Sequence, residues 1–421
     1  MYSRRAFLKM SGLALFAAGV GGSPVFLARA AQAAQQGSAT RRRTLVTIFQ
    51  RGAMDGLMAV PPIEDPYLRQ SRPNLYIPAG RAAGDQAVLE LTDAFGLHPA
   101  FAPLLPLFRE GRLAVVHGVG SPVATRSHFD AQDYMESGTP GRKGTASGWL
   151  NRAVGLLGHE PATPFQAVSL TPSLPKSLYG ERKALAVSDL ATFGVQDIGN
   201  RQMSAATQQG FEMLYSRAAA ELLQKTGSMS FDAVKILSEL EVASYRPENG
   251  ADYPRSPLGS ALKQIAMLIK AGVGLEVAFA ESGGWDTHVR QGALTGTFAN
   301  RSRDLAAAIA AFWADLDRYQ DDVVVMTMTE FGRTVRENGS AGTDHGRASC
   351  LFVLGNQVRG GRVHGQVPVL ARENLEDGRD LPVTTDFRAV FADVAGQHLR
   401  IDDDSALFPG WSGRRLPVLK S

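Results

Sequence analysis

Apolar residues in this chain fall into short continuous runs separated by stretches of helical period. Thr44–Phe49, Leu113–Val116, Phe165–Leu170, Leu275–Ala280, Val323–Thr327 and Cys350–Leu354 are runs of four to six residues, rich in Val, Leu and Phe. Runs of that length without polar alternation predict strands buried on both faces. Between them, Phe101, Leu104, Leu105 and Phe108 follow an i, i+3, i+4, i+7 pattern, and Gly111 closes the helix it predicts. Leu262, Ile265, Leu268 and Ile269 mark another helix; Leu305, Ile309, Phe312 and Leu316 a third; Phe387, Val390, Phe391 and Val394 a late one. From about 204 to 245 the pattern is helical without strand signals (Phe211, Leu214, Ala218, Leu222), which predicts a helical insertion. Strand and helix in alternation predict an α/β fold over residues 44–421. Its sheet would be mostly parallel, with helices on both faces.

The first 33 residues stand apart. Ser3-Arg4-Arg5-Ala6-Phe7-Leu8-Lys9 resembles a twin-arginine export signal, Met10 to about Phe26 is apolar and Gly/Ala-rich, and Ala31-Gln32-Ala33 is a small-x-small cleavage site. Gly19, Gly21, Gly22 and Pro24 interrupt the apolar stretch, and no stable membrane span is expected after processing. Residues 34–43 read as a linker. The expected destination is the periplasm or the cell exterior, reached through the twin-arginine machinery.

Processing also changes the charge. The formal charge of +3 includes Arg4, Arg5, Lys9 and Arg29 and no acid from that segment, so 40 basic and 41 acidic side chains remain. A chain near −1 gives no bulk attraction for nucleic acid. With 44% hydrophobic and 20% charged residues the composition is that of a globular protein, and the single Cys350 excludes a disulfide framework or a cysteine-based metal site.

Candidate chemistry gathers where the strands end. Gln50-Arg-Gly-Ala-Met-Asp55-Gly56 follows the first run. Arg126-Ser127-His128-Phe129-Asp130 comes after the second, and Glu281-Ser-Gly-Gly-Trp-Asp286-Thr-His288 after the fourth. Thr329-Glu330-Phe331-Gly332-Arg333 follows the fifth, and Gly342-Thr-Asp344-His345-Gly346-Arg347 precedes Cys350. Ligands of open α/β sheets lie beyond the carboxyl ends of strands. Asp, Glu and His without Cys suit a divalent ion: zinc, manganese, magnesium or calcium. Each piece also has a plainer reading: Asp55 as a turn residue, Asp286 as a helix cap, Ser127 as the cap of a helix beginning near Phe129.

The motifs Phe49-Gln-Arg-Gly-Ala-Met-Asp-Gly56, Ser127-His-Phe-Asp-Ala-Gln-Asp133, Gly148-Trp-Leu-Asn-Arg152, Gly284-Trp-Asp-Thr-His288, Thr329-Glu-Phe-Gly-Arg-Thr334 and Gly342-Thr-Asp-His-Gly346 resemble those of the family domain of unknown function 1501. That family looks like a divergent branch of the alkaline phosphatase/sulfatase superfamily. The resemblance implies an alkaline-phosphatase-like fold, an acid after the first strand (Asp55), and a nucleophile followed some ten residues later by Gly (Ser127, with Gly138). It also implies an Asp…His pair (Asp286, His288). A formylglycine sulfatase is not implied, because Ser-His-Phe-Asp replaces Cys/Ser-x-Pro-x-Arg. Two registers remain for the late ligands. In one, Asp344-His345-Gly346 is the superfamily's Asp-His-Gly and His364 the final histidine; in the other, Glu330 and Phe331 occupy that strand end and His345 is the late histidine.

Two functions follow from these expectations. The first is an exported metal-dependent hydrolase acting on a small anionic phosphate or sulfate ester. In it Ser127 attacks, His128 orients it, takes its proton or binds metal, and Arg333 or Arg347 neutralises the oxyanion. Metal would be held by Asp55, Asp286, His288, Glu330, Asp344 and His345, or His364 in the other register. The second is a non-catalytic binding or assembly protein on the same fold with a degenerate site. Neither a Gly-x-Ser-x-Gly elbow nor a dinucleotide fingerprint after a strand is present. For export, Arg4→Lys with Arg5→Lys is expected to leave unprocessed protein in the cytoplasm. Mature protein appearing outside the inner membrane in normal amount would rule out twin-arginine dependence.

Overall fold

The computed structural model describes residues 42–80, 84, 86–193, 232–233, 236–237 and 242–420. The expected signal segment, most of the expected 34–43 linker and most of the expected insertion at 204–245 lie outside the described residues.

The first apolar run becomes the centre of the sheet. Strand β1 (Thr44–Arg51) is buried along all but its last residue and lies parallel between β7 (Val277–Gly283) and β8 (Val323–Met328). A short hairpin, β2 (Leu89–Glu90) with β3 (Gly96–Leu97), stands apart from the main sheet. The nine-stranded sheet runs β10 (Val363–His364), β4 (Leu113–Gly120), β9 (Ser349–Leu354), β8, β1, β7, β5 (Ala167–Ser169), β6 (Leu185–Ala186), with β11 (Thr385–Asp386) also on β4. All six expected runs supply strands. The sheet is mixed: β9 runs antiparallel to both β4 and β8, and the other pairings are parallel. Because β9 is reversed, the segment before it arrives at the edge where β1, β4, β7 and β8 end.

Helices cover both faces. Val46 and Ile48 share one apolar core with Leu262, Ile265, Leu305 and Phe312, whereas Leu45 and Phe49 share another with Trp149, Val390 and Phe391. Beside the short turn α1 (Gly56–Ala59) and α2 (His128–Ser137), the larger helices are α3 (Trp149–Leu156), α4 (Pro257–Ala271), α5 (Thr297–Leu316) and α6 (Phe387–Leu399). In α4 the boundaries follow from local chemistry. Ser256 caps the start by accepting the Gly259 N–H, Pro257 occupies the first turn, and Gly272 ends the helix at φ 66°. The helix expected over Phe101–Phe108 is broken instead: a 3₁₀ stretch Pro99–Leu104 is followed by one α-turn, Leu105–Arg109. Pro103 and Pro106 lack the N–H groups that a continuous α ladder needs. Among the described residues no helix is long and apolar enough to cross a membrane.

Three histidines serve the fold. The Nε2 atoms of His98, His117 and His398 donate to the carbonyls of Ala293, Val60 and Thr44, each at 3.0 Å. Burial pushes each imidazole down to about 4. Unfolded imidazoles bind protons near pH ~6.5, so this stabilisation is complete above that value and is lost as pH falls toward the folded value. Unfolding free energy from urea titrations should therefore be flat from about pH 8 to 7 and drop steeply from about 6.5 to 4, by about 3 kcal/mol for each ring and on the order of 10 kcal/mol for the three. A midpoint unchanged at about pH 5 would contradict charge-free burial of these rings.

Candidate functional site

The loops after β1, β4, β7 and β8 and the segment before β9 converge at the carboxyl edge of the parallel strands. Their approach depends on residues without side chains. Gly52, just past β1, has φ 113°, and a Cβ there would lie 2.5 Å from the Asp286 backbone nitrogen. Gly342 likewise packs against the carbonyl of His288, where any Cβ would clash.

The cluster so assembled contains His128, Asp286, His288 and His345. His128 opens α2. Its Nδ1 contacts Glu330 Oε1 at 2.8 Å, and its Nε2 lies 3.0 Å from His345 Nε2 and 3.4 Å from Asp286 Oδ2. His288 Nδ1 contacts Asp344 Oδ1 at 2.8 Å, and its Nε2 lies 2.9 Å from His345 Nε2 and 3.0 Å from Asp286 Oδ1. His345 Nδ1 contacts the Arg126 carbonyl at 2.8 Å, and its Nε2 is 3.3 Å from Asp286 Oδ1. His128, Asp286 and His345 form a group that could hold a metal ion. Beneath them Phe331 packs its ring 4.9 Å from that of His128 and 5.0 Å from that of His345.

The charges around the cluster are set by its neighbours. Burial works against the charge of Glu330, but hydrogen bonds from His128, Gln132 and the Gly52 N–H outweigh it and hold the carboxyl below its usual range. Asp286 is also partly buried, yet the Arg333 guanidinium at 2.6 Å keeps it below its usual range. The hydrogen bond from His288 lowers Asp344. The bond to Glu330 raises His128, whereas burial lowers His345. With both carboxylates ionised and a carbonyl as the third acceptor, every Nδ1 must be the donor. Each Nε2 then faces the other rings.

The remaining expected residues lie elsewhere or act differently. Asp55 is buried away from the cluster: it caps α1 through the Met58 N–H, pairs with Arg72 at 2.8 Å and accepts from Gln291 at 2.7 Å. Its oxygens are therefore engaged by cationic and amide donors, unlike the ligand role expected for it. Arg333 is fully buried and directs its three nitrogens to Asp286 and Thr343. Arg347 bonds Glu376 and the carbonyls of Ser121 and Val123. Neither arginine turns outward as an oxyanion partner would. His364, on β10, contacts the Arg359 carbonyl at 2.9 Å and is not brought to the cluster. Ser127 caps α2, accepting the Asp130 N–H at 3.4 Å, and Gly138 ends the same helix at φ 68°. The Ser…Gly spacing is thus also the length of a helix.

Sequence reasoning did not single out Arg72, Gln291, Thr343 or Asn338. Gln291 donates to Asp55 and accepts from the hydroxyls of Thr287 and Thr343, and Thr343 in turn meets Arg333. Asn338 donates to Asp344 and to the His288 carbonyl. This path joins Asp55 to Asp286 through side chains alone. Leaving Asp55 buried without its partner, as in Arg72→Met, should cost roughly 3–5 kcal/mol in urea unfolding. A ligand role for Asp55 predicts little change in stability on that substitution.

Comparison with known proteins follows this geometry. No curated protein matches the chain. Among solved structures it is similar to a sulfatase from Pseudoalteromonas sp., at 11% identity over 91% of this chain and 73% of that one, with a TM-score of 0.37. It is also similar to the lipoteichoic acid synthase LtaP from Listeria monocytogenes, at 10% identity over 83% and 76%, with a TM-score of 0.30. Likenesses this loose transfer neither a residue nor a reaction. The model of a family described as protein of unknown function DUF1501 matches residues 108–408, more than half of the sequence. The chain belongs to that DUF1501 family.

Proposed function

We propose that this chain is an exported, metal-dependent hydrolase of phosphate or sulfate esters. The observation that supports the reading most is the convergence of three imidazole Nε2 atoms and the Asp286 carboxylate within 2.9–3.4 Å contacts. Imidazole nitrogens and a carboxylate gathered this closely form a donor set that fits a divalent ion. His128, Asp286 and His345 would hold it, with His288 against His345 and Asp286 at its side. A bound divalent ion would supply Lewis-acid stabilisation of negative charge on an ester oxygen.

The chain's own groups do the rest. Arg333 fixes the Asp286 carboxylate, and Phe331 supports two of the rings from below. Ser127, next to His128 in sequence and at the N-terminus of α2, is the proposed nucleophile. The dipole of a helix start favours developing negative charge there. Export rests on the Ser3–Lys9 motif and the cleavage site that follows it. One observation favours the alternative of a binding or assembly protein: both Arg333 and Arg347 are engaged inward.

The test is mature protein purified without chelator, assayed on aryl phosphates, phosphodiesters and sulfate esters. Wild type should turn over at least one class. Ser127→Ala should lower kcat by roughly a thousandfold or more, while costing only about 0.5–2 kcal/mol in stability through the lost cap. Asp286→Ala with His288→Ala should release the metal and leave the sheet folded. Fully metallated wild type that hydrolyses none of the panel would place the binding reading first.

A further inference from the structure

We propose that Phe129 and Val289 form an apolar subsite beside the histidine cluster, and that the ester acted on there is an amphiphile whose alkyl or aryl group lies against them. This deepens the hydrolase reading and rests on it for the anionic end of the ligand. The apolar end has its own support.

The first support is exposure. Among the described residues the two most exposed large apolar side chains are Phe129, at 90%, and Val289, at 63%. Neither belongs to any of the apolar clusters that hold the described core together. Phe129 is the second residue of α2, where an aromatic ring brings neither helix propensity nor a cap. The fold does not use these side chains.

The second is placement. Isolated apolar residues are ordinary on a protein surface, but these two are not scattered. Phe129 directly follows His128 and Val289 directly follows His288, and consecutive Cα atoms lie only about 3.8 Å apart. Both histidines contact His345, at 3.0 and 2.9 Å. The apolar pair thus comes from two separate loops, one after β4 and one after β7, that meet at the same ring.

The third is what the cluster lacks. Ligand sites join a few placed polar groups to apolar surface. Here the polar groups are the rings and Asp286, whereas Phe331 beneath them is buried and packed against two of the rings. Phe129 and Val289 supply the apolar surface that Phe331 cannot. A charged headgroup at the cluster would leave its alkyl or aryl part to cover them.

The experiment is calorimetric titration of the protein, purified without chelator, with methyl-, hexyl- and phenylphosphonate and with the matching sulfonates, whose C–P and C–S bonds resist hydrolysis. In one of the two series Kd should fall about twofold per added methylene, so that the hexyl compound binds at least about tenfold tighter than the methyl one. Phe129→Ser and Val289→Ser should each cut that ratio by about threefold or more, and Phe129→Leu should retain it, with circular dichroism confirming the fold. No saturable binding in either series, a ratio near one, or a ratio that both serine variants retain would overturn the subsite. Partition onto phosphatidylglycerol vesicles together with a ratio near one would also overturn it and give Phe129 to a membrane surface. A steep ratio in a protein that hydrolyses none of the ester panel would leave the subsite standing and remove the hydrolase reading; turnover of the panel with a ratio near one would do the reverse.

Discussion

Three imidazoles tied down from behind cannot turn their forward nitrogens away from one another. That constraint organises the carboxyl edge of this sheet. Glu330, Asp344 and the Arg126 carbonyl hold the Nδ1 atoms, and Phe331 packs beneath two of the rings. The Nε2 atoms of His128 and His288 are left against that of His345, with Asp286 closing the group. Under the proposed reading a cation would sit among these groups, and the fold brings them together. The reversal of β9 delivers His345 to the edge where the parallel strands end, and α2 starts at His128.

Support for the cluster is itself polar and buried. Asp55 joins the start of α1, Arg72 and Gln291, and through Gln291, Thr343 and Arg333 the connection reaches Asp286. Fully bonded networks of this kind hold a single geometry, and a partly bonded one is costly in a low-dielectric interior. The carboxylate that faces solvent is therefore oriented by groups that do not.

Much of this was legible in the sequence, for a physical reason. Buried strands demand continuous apolar runs, so all six strand positions and the loops after them stand out without coordinates. Asp286, His288, Glu330 and His345 were found because they sit in those loops. What was not legible is the difference between chemically identical acids. Asp55 and Asp286 both follow strands near glycine, but Asp55 is neutralised by an arginine from a separate loop, and spacing along the chain carries no trace of that pairing. Arg333 and Arg347 show the same limit: a guanidinium in a site loop reads as an anion partner until its burial is seen. Pro103 and Pro106 were visible, yet the strength of the i, i+3, i+4, i+7 pattern around them masked the broken ladder.

X-ray absorption spectroscopy at the metal edge, on protein purified without chelator, tests the central claim most directly. The account predicts a divalent metal with nitrogen and oxygen donors at about 2.0–2.2 Å and outer-shell scattering from imidazole rings. A protein that is folded but metal-free, or a bound metal without imidazole scattering, would contradict it.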